Sequence, residues 1–179
     1  VKSSSLTERP HVLCIQKHIT RQDLQANPRL LYLFGDNEAR WGFGGQAAAM
    51  RGEPNALGIC SKKSPSEFWS DDEYDRNCDQ IDADLFSVAL AMKIGGYQGL
   101  VMPADGIGTG LARLKEKAPK TFAYLQGELE VLKMLVANQG HGNQCQSKTS
   151  RLECHGRVIS GSEAQKEQTA QDATSTTSG

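Results

Sequence analysis

Two glycine-rich segments carry the residue types and spacing in this sequence that could do chemistry. Gly42-Phe43-Gly44-Gly45-Gln46 and Asp105-Gly106-Ile107-Gly108-Thr109-Gly110-Leu111 each follow an apolar run of strand length. Glycine has no side chain to hold a pyrophosphate away from backbone N–H groups, and a helix start adds free N–H groups and a favourable dipole. Glycine after a strand also makes ordinary tight turns, so either cluster alone has a purely structural explanation. Together, beyond the carboxyl ends of two strands, they point to one diphosphate held between them. The ligand-binding residues expected on this basis are Asp36, Asn37, Gly42, Gly44, Gly45, Gln46, Gly106, Ile107, Gly108, Thr109, Gly110 and Leu111. Neither loop ends in the Gly-Lys-Ser/Thr of a P-loop, and neither is followed by the ribose-binding acid of a dinucleotide fold, which argues against a nucleotide triphosphatase and an ordinary dehydrogenase.

The titratable candidates are Lys62, Lys63 and Asp105. A lysine nucleophile needs a depressed pKa from burial or a cationic neighbour, and each of the adjacent lysines is such a neighbour for the other; solvated loop charges are the plain alternative. Asp105, among backbone donors, is the better candidate acid or base. Asp36 and Asn37 either close an Asx turn or reach ribose hydroxyls or an adenine amine. Arg51 reaches a phosphate or ends an exposed helix, and Phe68 and Trp69 stack on a base or pack under their loop. His141, Cys145, Cys154 and His155 fit no closed zinc spacing, so neither a metal nor a cofactor is expected.

The elements that must position these groups alternate. His11 to Gln16, Arg29 to Phe34, Asn55 to Cys60 and Gln98 to Pro103 read as strands. Thr20 with Asp23 forms a capping box, Pro28 ends the helix that follows it, and Gln46 to Arg51 are good helix formers. Ser61 to Asp72 is a long polar loop. A helix starting at Asp79 or Asp82 runs through Ile81, Leu85, Val88, Ala89 and Met92 to a Gly95-Gly96 cap. Pro119 opens the last helix, with Phe122, Leu125, Leu129, Leu132 and Leu135-Val136 on one stripe. The expected class is α/β, a three-layer α/β/α sandwich around a mixed, mostly parallel sheet.

The 179 residues allow one ordinary domain, placed at 1–138, and the Gln-, Ser-, Thr- and Gly-rich stretch 139–179 is expected to be a disordered polar tail. Lys and Arg number 20 against 21 Asp and Glu, a net charge of −1, without the overall basic footprint of a dedicated duplex-DNA binder. No apolar run approaches the ~20 residues of a membrane span, and Val1 to Pro10 lacks the apolar stretch of a signal peptide, so no membrane partner is expected. Five scattered cysteines, an odd number without a CxxC pair, fit a reducing cytoplasm.

Three segments resemble the macro domain family, which binds ADP-ribose, and more narrowly the branch of terminal ADP-ribose protein glycohydrolase. They are Gly42-Phe43-Gly44-Gly45-Gln46-Ala47, Ile59-Cys60-Ser61-Lys62-Lys63, and Val101-Met102-Pro103 through Gly106-Ile107-Gly108-Thr109-Gly110-Leu111-Ala112-Arg113-Leu114. The likeness covers roughly 11–138. The chain is also similar to small bacterial and phage proteins that carry Phe-Gly-Asp-Asn, Gly-Gly-Gln-Ala, Arg-Gly-Glu-Pro-Asn-Ala and Pro-Ala-Asp-Gly-Ile-Gly-Thr-Gly. The macro-domain resemblance implies binding of ADP-ribose or a related nucleotide, free or attached to an ADP-ribosylated macromolecule. It further implies removal of an ADP-ribosyl group with Lys62 or Lys63 as nucleophile; Asp105, earlier in the second loop than the family's aspartate position, is the acid or base that would substitute for it. Ala112 stands where that branch has its assisting aspartate, which favours the alternative of a non-catalytic reader or sequestering protein. A third reading, an interaction or nucleic-acid module, makes both loops mere turns.

Overall fold

Four apolar runs pair side by side in the structure, a computed structural model that describes residues 11–139. They are β1 (Val12–Gln16), β2 (Leu30–Asp36), β3 (Ala56–Cys60) and β4 (Gly99–Pro103), in sheet order β1-β4-β2-β3. Every pairing is parallel, so an antiparallel member of a mixed sheet is not found among the described residues. Parallel neighbours need crossover connections, and the segments between these strands supply them. The helices are α1 (Arg21–Ala26), α2 (Ala47–Met50), α3 (Tyr74–Ile94), α4 (Leu114–Lys117) and α5 (Pro119–Gln139), with a 3-10 turn at Asp71–Glu73.

Alternation along β2 shows why its sequence is continuously apolar. Leu31 and Leu33 belong to a core cluster with Ile81, Val88 and Met92 of α3 and Leu125, Leu129 and Leu132 of α5. Tyr32 and Phe34 belong to another, with Leu24 of α1 and Ala47 and Met50 of α2. Successive strand side chains point to opposite faces, so the sheet carries helices on both.

Each strand starts one residue later than expected, and two boundaries differ by more. Strand β2 extends through Gly35 and Asp36, which pair with Ile59 and Cys60, so Asp36 lies in the sheet rather than in the turn after it. Helix α3 begins at Tyr74, several residues before Asp79, because its buried face opens with Asn77, whose amide donates to Ser70 O at 2.9 Å and to Thr121 Oγ1 at 3.3 Å. That face also holds Asp84, and two polar residues on an inward stripe hide it from an apolar pattern. The Thr20–Asp23 capping box is present as expected. The expected polar tail and the His141, Cys145, Cys154 and His155 group lie outside the described residues. Among the described residues, no helix is long and apolar enough to cross a membrane.

Candidate functional site

The site forms where the chain leaves the sheet in two directions. After β2 it runs to α2, in the cluster with Tyr32 and Phe34; after β4, a neighbour of β2, it runs to α4 and α5, in the other cluster. Loops departing from adjacent parallel strands toward opposite faces open a crevice, the position at which open α/β sheets bind ligands. Here the crevice is a cleft of about 730 Å³, within the usual range for small-molecule sites. Gly42, Gly44, Gly45 and Gln46 line it from the first loop, and Gly106, Gly108, Gly110 and Leu111 from the second.

Both loops keep their backbone donors free. Among the described residues, the N–H groups of residues 41–46 and 107–112 donate to no protein acceptor. Gly42, Gly45, Gly106 and Gly108 have positive φ, the mixed-handed backbone that turns successive N–H groups into an anion-binding concavity. Gln46 stitches the loops together: its Oε1 accepts Gly35 N–H at 2.9 Å and its Nε2 donates to Gly106 O at 3.1 Å. The sequence placed Gln46 on the ligand, whereas its amide is occupied in holding the cleft walls.

Asp36, also expected at the ligand, is a buried carboxylate enclosed by arginines. Arg51 grips it with both terminal nitrogens and donates from Nε to Gly42 O at 2.8 Å, which fixes the first loop. Arg40 reaches the same carboxylate, pairs with Asp84, and donates to Gly58 O at 2.9 Å. Asp84 in turn accepts Cys60 N–H at 2.7 Å, so side chains engage the outer edge of β3. Burial, with the Asp84 charge behind it, pushes the Cys60 thiol far up and leaves it inert. Arg51 is therefore a brace under the loop and is not free for phosphate. Asn37 lines the cleft with its amide donating to Trp41 O at 2.9 Å, while its Oδ1 is buried without a protein partner.

The adjacent lysines separate. Lys62 is buried in the cleft wall, its Nζ donating to Pro65 O at 2.9 Å and Leu111 O at 3.4 Å over the Phe68 ring, and burial lowers its pKa. Lys63 pairs with Glu73 and does not line the cleft. Asp105 and Thr109 are exposed and do not line it, with Thr109 Oγ1 bonded to Asp105 O at 2.6 Å. Ile107 is core, its methyl beneath Gly35. Of the aromatic pair, Phe68 lines the cleft, whereas Trp69 is buried and donates to Glu38 Oε1 at 2.6 Å. Residues that sequence reasoning missed include Trp41, Pro65 and Ser61. Trp41 and Phe43 are 60% and 68% exposed at the cleft, and their places beside Gly42 were the available signal.

The chain belongs to a family of unknown function (DUF7831), whose model matches residues 14–128, a span that includes all four strands but for the start of β1 and both glycine loops. No curated protein and no solved structure matches it.

Proposed function

We propose that this member of the DUF7831 family binds a phosphate-bearing nucleotide of the ADP-ribose kind, as a reader or sequestering protein. The observation that carries this reading is the pair of glycine loops that line one cleft and whose backbone N–H groups at 41–46 and 107–112 no protein acceptor uses. Such donors suit a diphosphate, and the switch-point position suits a nucleotide. The exposed rings of Trp41 and Phe43 offer faces for a base.

Removal of an ADP-ribosyl group would need a nucleophile and an acid or base on the same ligand. Lys62 is at the cleft, but Asp105 is exposed away from its lining, Lys63 is paired with Glu73, and Ala112 brings no carboxylate. Binding without turnover is the reading these positions favour. Calorimetric titration of the chain with ADP-ribose, NAD, AMP and a cyclic dinucleotide tests it. Micromolar or tighter binding of ADP-ribose, about −8 kcal/mol, is the expected result. No heat with any of the four would overturn the proposal and leave the loops as turns.

A further inference from the structure

Lys62 is the charged residue of the cleft lining that no opposite charge answers. Asp36 faces Arg51 and Arg113 faces Glu116, yet among the described residues no carboxylate lies within ion-pair distance of the Lys62 ammonium. Its compensation comes from two carbonyls and a ring, and the identity of those carbonyls is informative. Pro65 O belongs to the residue whose Cγ lies 3.1 Å from where a Cβ on Gly42 would stand. Leu111 O belongs to the residue whose Cδ1 lies 3.0 Å and 3.5 Å from the same points on Gly44 and Gly45. One ammonium thus holds both residues whose side chains roof the first glycine loop.

We infer that Lys62 is a positioning residue, a clasp that ties the segment after β3 and the second glycine loop over the first and so sets the width of the cleft. Beside the Gln46 bond to Gly106 O and the backbone bonds of Glu38 and Ala39 to Lys62 O and Lys63 O, the three chain segments meet at this point through roofing side chains and this ammonium. Burying a charge is unfavourable unless its donors are satisfied, so the two carbonyls are held to Lys62 as firmly as it is held to them. The bond to Leu111 O, at 3.4 Å, is the longer of the two and the one an arriving phosphate would displace first. The clasp itself is independent of any ligand; its effect on affinity rests on the nucleotide reading above.

The test is nuclear Overhauser contact between the Leu111 methyls and the Gly44 and Gly45 α-protons in ligand-free protein. The native chain shows the contact, Lys62→Met loses it with the fold intact, and Lys62→Arg, which keeps a donor for both carbonyls, retains it. With ADP-ribose as the probe, Lys62→Met binds at least tenfold more weakly and Lys62→Arg within about threefold of native. Persistence of the contact in Lys62→Met overturns the clasp. A native chain that shows the contact pattern yet binds no nucleotide removes the nucleotide reading while leaving the clasp standing.

Discussion

Replacing Arg51 by methionine is expected to destabilise the fold by about 3 kcal/mol. The carboxylate of Asp36 is only 3% exposed and depends on what surrounds it. Arg51 bonds both of its oxygens, Asn37 N–H donates to Oδ1 at 2.6 Å, and Arg40 approaches Oδ2 at 3.4 Å. Removing one partner of a buried pair typically costs about 3–5 kcal/mol, because a charge is left without compensation. Arg40 and Asn37 remain, which places this change at the low end, and loss of the Arg51 bond to Gly42 O adds to it. With a urea slope of about 2 kcal/mol per molar, the midpoint falls by about 1.5 M. Arg51→Lys keeps the charge without the fork and is expected to lose about half as much. Adding Asp36→Asn to Arg51→Met removes the stranded charge and recovers part of the loss. Urea unfolding followed by Trp emission measures all three. A loss under about 1 kcal/mol in Arg51→Met, or no recovery in the double variant, would refute the dependence of Asp36 on Arg51.

The space beside Asp36 is equally constrained. A Cβ at Gly58 would stand 2.6 Å from that of Asp36 and closer still to its carboxylate, so Gly58→Ala is expected to cost about 2–3 kcal/mol by thermal or urea unfolding. Asp71 caps α5 from a distant part of the chain, accepting Lys120 N–H at 2.9 Å and Thr121 N–H at 3.0 Å, so Asp71→Ala is expected to lose about 1–2 kcal/mol at pH 7. Desolvation raises the Asp71 pKa, but these bonds and the Thr121 hydroxyl outweigh it and hold the carboxyl below its ordinary value. A depressed native pKa adds stability above the unfolded value of about 3.9 that disappears as pH falls through the native one, so the gap between native chain and Asp71→Ala narrows on unfolding at pH 3.

Much of the fold was legible because parallel strands covered on both sides must be apolar throughout. Leu31 and Leu33 serve one face and Tyr32 and Phe34 the other, which no amphipathic pattern would show. What escaped were polar residues doing structural duty. Asn77 and Asp84 occupy the inward stripe of α3, and Asp36 finds partners at positions 40 and 51 that only the folded chain brings together. The glycine loops were legible as a pair, and they do meet in one cleft. Which lysine enters it was not: both lie in the bend after β3, where the direction of each is set by packing, with Lys62 turned to Pro65 and Leu111 and Lys63 to Glu73. Asp105 read in sequence as a candidate acid or base among backbone donors, yet the loop turns it out to solvent.

The glycines themselves have two explanations, and one position separates them. Gly42 and Gly44 have Pro65 and Leu111 against them, so a substitution there disturbs the roof whether or not a ligand ever binds. Gly110 differs: it lines the cleft, has no positive φ, and a Cβ built on it meets nothing within 4 Å. Alanine at 110 therefore leaves the fold as stable as before or slightly more so, by up to about 1 kcal/mol, since the unfolded chain loses freedom. If phosphate oxygens approach the backbone of the second loop, the new methyl occupies their path and affinity for ADP-ribose falls tenfold or more, about 1.4 kcal/mol, with the unfolding midpoint unchanged or raised. Calorimetry on the folded variant reads the two quantities separately. Unchanged affinity in Gly110→Ala would mean that the ligand does not approach the second loop at this point, and diphosphate recognition would then have to rest on the first loop alone.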